Sequence, residues 1–242
     1  TTRKEWWQTA KFVGVVGALS FADEPIQKFS LDLRNKNKGL RNVSRYVTNT
    51  GGLYEIYGLT GLAVYGWVFK KNQMKTTTLL AGQAYIVSGA FESVLKLLTG
   101  RQRPIVVDSV HLEAEPTFHG PFYKFPPDNN GKKTNGSFPS GHTTVAFAAA
   151  TVFATEYKDR PLVVASVYSI ATLIGLSRIT ENKHWFTDVL TGATLGYLTG
   201  KLVVNNYHRY IENKNNKGKG QLMFTLQCVQ GRPMPGLVYQ FK

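Results

Sequence analysis

Along residues 75–98 the apolar positions Leu80, Ala84, Val87, Phe91, Val94 and Leu98 recur at intervals of four and three, the stripe of an amphipathic helix. Gly100 and Pro104 close that helix, because glycine tolerates the left-handed turn past a helix end and proline cannot continue one. Other apolar runs predict helices at roughly 52–70, 141–157, 161–178 and 185–204. The runs from Glu55 to Lys70, Lys75 to Glu92, His142 to Glu156 and Asp188 to Lys201 each enclose sixteen residues or fewer. Buried core helices explain such lengths better than bilayer spans, which need roughly 17–25 apolar residues. Only residues 161–177, between Arg160 and Arg178, reach the lower bound. The expected fold class is all-α, a helical bundle.

Between Pro104 and Phe138 the periodicity stops. Pro116, Pro121, Pro126, Pro127 and the polar run from Asp128 to Lys133 predict a long loop. Residues 104–138 join two of the motifs described below, so the loop reads as a flap over the site with its tip near Gly131. After a polar linker from Asn213 to Gly220, residues 221–229 alternate, Gly231 to Gly236 form a turn, and Leu237 to Phe241 return, which predicts a β-hairpin. The expected organisation is one helical domain over residues 1–210 and a linker with a hairpin appendage over 211–242.

Composition narrows the partners. With 43% apolar and 18% charged residues the 242-residue chain is globular, and its mean hydropathy is -0.19. A net charge of +14, from 29 Lys and Arg against 15 Asp and Glu, creates a field that attracts nucleic acid, anionic membrane or phosphorylated small molecules. Zinc-finger spacing, an aromatic-rich RNA-binding signature and a basic-region heptad are all missing, so nucleic acid is not an expected partner. The single cysteine, Cys228, allows neither an intramolecular disulfide nor a cysteine-based zinc site. A start at Thr1 without a basic-then-apolar leader is compatible with a removed signal peptide.

Three stretches carry chemistry. Lys96 and Arg103-Pro104 lie across a helix end, and both cations can donate to phosphate, lysine as a point charge and arginine as a planar fork. Ser140-Gly141-His142 precedes an apolar helical run. There Ser140 reads as an N-cap, Gly141 lets the first-turn N–H groups approach an anion, and His142 places a proton donor beside it. Ser177-Arg178 is followed by His184 and Asp188, four apart, which on a helix would share a face, so that the carboxylate accepts from one ring nitrogen and leaves the other free. His111, His119, Asp108, Glu113 and Glu115 in the loop match no standard metal site, and none is expected.

Together the three stretches resemble the signature of the type 2 phosphatidic acid phosphatase and vanadium haloperoxidase superfamily: Lys, six residues, Arg-Pro; Pro-Ser-Gly-His; Ser-Arg, five residues, His, three residues, Asp. The resemblance covers residues 96–188 and is silent on residues 1–50 and 205–242. It implies that His184 attacks phosphorus and holds a phosphohistidine, oriented by Asp188, while His142 protonates the leaving oxygen and later activates water. It also implies that Lys96, Arg103 and Arg178 neutralise the phosphoryl oxygens with help from Ser140 and the Gly141 amide.

The resemblance implies no metal or other cofactor, with vanadate as an inhibitor; vanadate would be the cofactor only in the haloperoxidase branch. The chain is short for that branch. The expected activity is metal-independent hydrolysis of phosphate monoesters or diphosphates of a lipid or isoprenoid, with a vanadium-dependent haloperoxidase or a soluble nonspecific acid phosphatase as the alternatives. The expected location is the periplasm or the outer face of the inner membrane, soluble or in peripheral contact with anionic lipid, with an integral form left open.

Overall fold

The computed structural model describes residues 3–50, 53–104, 116–123, 136–215, 222–229 and 232–239. In chain order they form helix α1 (Arg3–Leu19), a 3-10 turn (Ser20–Ala22), α2 (Asp23–Lys36), α3 (Lys38–Thr50), α4 (Leu53–Val68), α5 (Asn72–Thr99), α6 (Gly141–Glu156), α7 (Pro161–Thr180) and α8 (Phe186–Asn215). Strands β1 (Leu222–Val229) and β2 (Arg232–Tyr239) follow. The chain divides into two compact units, residues 1–203 and 204–242.

The all-α bundle expected from the sequence is the architecture of the first unit. Helices α1, α2 and α3 lie within the helical domain expected over residues 1–210, although no individual helix is expected there from the sequence. Local signals account for several helix ends. Asp23 and Glu24 stand in the first turn of α2 and Arg34 and Lys36 in its last, each sign matched to the helix dipole. Pro161 opens α7. At the end of α5, Gly100 takes φ 52 and its N–H bonds back to the Lys96 carbonyl.

Helix α6 is the axis of the bundle. It packs against α5 and α7, and Ala146 and Ala150 meet Ala171 and Ile174 of α7 in a small-residue core, flanked by Val47 of α3. Against α8 the approach is closer still: a Cβ at Gly196 would lie 2.2 Å from the Thr144 carbonyl oxygen, and one at Gly192 would lie 2.7 Å from that of Ser140. Only glycine lets these two backbones touch.

The outer faces correct the sequence reading. Of the stripe expected to bury α5, Leu80 and Ala84 are buried, but Phe91, Val94 and Leu98 toward its C-terminal end are exposed, where Ser88 and Glu92 are buried instead. On α4, Tyr57, Val64, Trp67 and Val68 are exposed, and on α7, Leu162, Ile170, Leu173 and Leu176 are. The expectation of buried core helices assumed water outside the bundle; apolar side chains facing outward around a core of small apolar residues and buried polar groups is a pattern suited to lipid. Among the described residues one helix, Pro161–Thr180, is long and apolar enough to cross a membrane, with a mean hydropathy of 1.8 and a third of that window buried. Its 20 residues span roughly 30 Å at 1.5 Å per residue.

In the second unit β1 and β2 pair antiparallel from Leu222↔Tyr239 to Val229↔Arg232. The return strand thus begins at Arg232, earlier than the expected Leu237, and takes in Pro233 and Pro235. A two-residue spacing lets both prolines occupy positions whose nitrogen faces away from the partner strand. Helix α8 runs to Asn215, past its expected end near 204 and into the expected linker. Most of the loop read as a flap, residues 105–115 and 124–135, lies outside the described residues, and with it His111, Asp108, Glu113 and Glu115.

Candidate active site

The ends of α5 and α7 and the starts of α6 and α8 meet at one end of the bundle; α5 and α6 each bring one motif, and α7 and α8 bring the third between them. The backbone ties them together. Ser140 N–H donates to the Asp188 carbonyl at 3.0 Å, Ser137 N–H donates to the Arg101 carbonyl at 3.0 Å, and Thr99 Oγ1 donates to the Phe138 carbonyl at 3.1 Å. The turn between α7 and α8 closes with His184 N–H on the Arg178 carbonyl at 3.2 Å and carries Asn182 at φ 55.

His184 sits in that turn, two residues before α8 begins at Phe186, so it and Asp188 do not share a helix face as the i,i+4 spacing predicts. Asp188 instead lies in the first turn of α8 and its Oδ2 accepts from the Trp185 N–H at 2.8 Å, capping the helix. The His184 ring is buried. Its Nδ1 lies 2.7 Å from the Ser137 carbonyl oxygen and 3.5 Å from Asp188 Oδ2. Facing an acceptor that has no proton to give, Nδ1 carries the hydrogen, which leaves the lone pair on Nε2. Burial holds His184 well below the ordinary imidazole range, at about 3; Asp188 opposes the shift, and Arg103 and Arg178 reinforce it.

Asp188 is the centre of a larger buried network. It accepts from Ser137 Oγ at 2.5 Å and from Arg101 at 2.6 Å. Arg101, fully buried, also donates to Asp23 at 2.5 Å and to Thr187 Oγ1 at 2.8 Å. Asp23 in turn accepts from the Thr187 N–H at 2.8 Å. Phe118 covers the Arg101 guanidinium at 4.6 Å from its ring centre. The sequence reading missed Asp23 and Arg101; the doubled arginine of Gly100-Arg101-Gln102-Arg103 was the available signal, since one of the two had to serve the structure.

The phosphate-binding candidates divide by what they touch. Arg103 and Arg178 are neighbours of both His142 and His184, and the Nε of each is buried without a hydrogen-bond partner. Burial pushes the Arg103 guanidinium below its ordinary range, against the pull of Asp188 and Glu92. Arg178 also donates to Thr48 Oγ1 of α3 at 3.3 Å. Lys96, Gly141 and His142 line one groove of about 470 Å³ together with Glu92, a carboxylate the sequence reading passed over. Ser140 stands at the N-cap of α6, but its buried hydroxyl pairs with Thr143 Oγ1 at 2.8 Å and bonds no backbone N–H. Its expected role as a phosphate donor is compatible with that pair when Thr143 is the donor within it.

The arrangement defines a helical bundle whose motif-bearing ends enclose a buried histidine with a free Nε2 among unpartnered cationic donors. Residues 77–212, more than half of the chain, match the PAP2 superfamily, and the chain belongs to that family. It is 51% identical over 67 residues to the lipid A 1-phosphatase of Porphyromonas gingivalis, a stretch covering 27% of this chain and 15% of that protein's length. In fold it is similar to the crystal structure of Aquifex aeolicus LpxE, at 22% identity and a TM-score of 0.52 over 76% of this chain and 95% of that one. It is also similar to the first transmembrane PAP2 type phosphatidylglycerolphosphate phosphatase from Bacillus subtilis, at 22% identity and a TM-score of 0.57 over 83% and 94% of the two chains.

Proposed function

We propose that this protein is a phosphatase of lipid phosphates that works through a phosphohistidine on His184. The observation that carries the reading is the pair of buried guanidiniums, Arg103 and Arg178, whose Nε donors have no partner and which flank both histidines. Buried unpaired donors cost about 1–3 kcal/mol each, and an anion of several acceptor oxygens relieves them together.

In this reading the Nε2 lone pair of His184 attacks phosphorus while the bond from phosphorus to the leaving oxygen breaks. His142 is held below its ordinary range, at about 4, by burial and by the Arg178, Lys96 and Arg103 charges. It gains a proton once the bound anion offsets those charges and gives it to the leaving oxygen. Water then attacks the phosphohistidine with His142 taking its proton, the P–N bond breaks, and phosphate leaves. Lys96, Arg103 and Arg178 hold the charge of the transferring group throughout.

A lipid substrate is supported by the shape of the groove, whose polar end holds Glu92, Lys96 and His142 and whose other end holds Tyr85, Ile86 and Val145. The apolar outer faces of α4, α5 and α7 support a bundle set in the bilayer and not at its surface. The names of the Porphyromonas and Bacillus relatives are those of lipid phosphatases, which favours hydrolysis over peroxidation.

The test is phosphate release from a panel of lipid A, phosphatidylglycerol phosphate, phosphatidic acid, undecaprenyl diphosphate and a soluble ester, by the detergent-purified chain. Activity that survives chelator, is inhibited competitively by orthovanadate and vanishes in His184→Gln is the expected result. Activity restored only by a divalent cation, or a His184→Gln enzyme within about tenfold of wild type where 10²–10⁴-fold is the least expected, overturns the reading. Extraction by high salt alone would count against the bilayer setting, and hydrolysis of an impermeant ester by intact spheroplasts tests the periplasmic placement.

A further inference from the structure

Glu92 has no part in the reaction just described, yet it is placed among the groups that perform it. It lies one turn before Lys96 on α5, is 7% exposed, and its Oε1 is paired with the Lys96 ammonium. Oε2 accepts from Ser93 Oγ at 3.3 Å. Oε1 would be 2.6 Å from a Cβ at Gly141, so the carboxylate rests against the backbone that opens α6. It is also within electrostatic reach of Arg103. A protein carboxylate therefore occupies the neighbourhood that Lys96, Gly141 and His142 line for an anion.

We infer that Glu92 is a positioning residue that stands in for the substrate's phosphate, holding Lys96 in the empty site and surrendering it when phosphate arrives. The inference rests on the phosphatase reading and deepens it. Lys96, Arg103 and Arg178 repel one another across the pocket; Asp188 offsets part of that at Arg103 and Glu181 at Arg178, and Glu92 is the counter-ion paired with Lys96. An incoming phosphate then has to compete with that carboxylate for Lys96 and bears its repulsion, so the site binds anions less tightly than its cations alone would allow. The benefit falls on turnover, because the product is itself an anion that must leave.

The experiment measures the inhibition constants of orthophosphate and orthovanadate against p-nitrophenyl phosphate, on the full chain in detergent. Glu92→Gln is expected to lower both by about tenfold, the scale of one partly buried charge contact, while Lys96→Gln raises them. Combining the two substitutions is expected to remove most of the gain. A residue that merely kept α5 in shape would, when replaced, raise the constants or leave them alone, and either result overturns the inference. If Glu92→Gln does not fold, Glu92→Asp, whose shorter side chain falls short of Lys96, is read in the same way and is expected to move in the same direction. A wild-type enzyme that neither oxyanion inhibits overturns the phosphatase reading itself, and Glu92's role with it. Normal wild-type inhibition that Glu92→Gln leaves unchanged overturns the role of Glu92 alone.

Discussion

The Nδ1 of His184 is held by the carbonyl oxygen of Ser137, at 2.7 Å, more closely than by any carboxylate. Asp188, 3.5 Å from the same nitrogen, also accepts from Arg101, Ser137 and the Trp185 N–H at the start of α8. A backbone carbonyl fixes the tautomer without depending on one side chain.

Asp188→Asn is accordingly expected to act on stability before it acts on tautomer. Removing one partner of a buried ion pair costs about 3–5 kcal/mol, visible as a large fall in the thermal midpoint of the detergent-solubilised protein. In the fraction that remains folded, kcat should fall well short of the roughly 10⁴-fold loss expected where a carboxylate alone sets the tautomer. A stable variant with a loss of that size would return the orienting role to Asp188.

The buried neutral state of His184 has a pH signature. An unfolded histidine titrates near 6.5, whereas His184 in the fold titrates at about 3. Between these values the unfolded chain binds the extra proton, so stability falls as pH falls through that window and stops changing below it. His184→Gln is expected to flatten the dependence of thermal midpoint on pH between 6.5 and 4. Parallel slopes for the two proteins would mean that His184 is not held neutral.

His142 and the arginines should separate by leaving group. A proton donor matters most when the departing oxygen is a poor leaving group and least when it is already stable as an anion. His142→Ala is expected to lose at least tenfold more kcat/KM on an alkyl phosphate than on p-nitrophenyl phosphate, while Arg178→Ala lowers both alike. Equal losses for His142→Ala would make that histidine a phosphate ligand.

Gly196→Ala sets two effects against each other. Alanine in a helix interior gains about 0.5–1 kcal/mol over glycine, but its Cβ would stand 2.2 Å from the Thr144 carbonyl oxygen, and overpacking of this kind costs about 1–3 kcal/mol. The clash should win, giving a lower thermal midpoint. At Gly89, whose nearest neighbour is Val145 Cγ1 at 3.9 Å, the same substitution should be neutral or stabilising. Equal behaviour at the two sites would argue against the close contact of α6 and α8.

The three motifs were legible because each holds a rare combination of reactive residues, and the fold brings them to one end of the bundle. Glu92 was legible too, as the acidic member of a Glu-to-Lys pair at i,i+4, but such pairs usually mark a solvated helix face, and only the fold places this one in a pocket. The facing of α5 was only partly legible from periodicity, since Leu80 and Ala84 of the expected stripe are buried and its later members are exposed. Phe91, Val94 and Leu98 form as regular a stripe as any core helix has, and periodicity reports that a helix has two faces without saying which solvent each one meets. Asp23 could not have been found at all, since its partners, Arg101 and Thr187, lie far along the chain.

That last contact reaches beyond the matched segment. Residues 77–212 carry every group proposed to touch phosphate, yet Asp23 of α2 is one of the two counter-ions of Arg101. A chimera that grafted residues 77–212 onto a foreign N-terminus would inherit the reactive histidines together with a buried arginine short of one charge. The part of the chain that can be exchanged among relatives as a working unit therefore begins no later than α2.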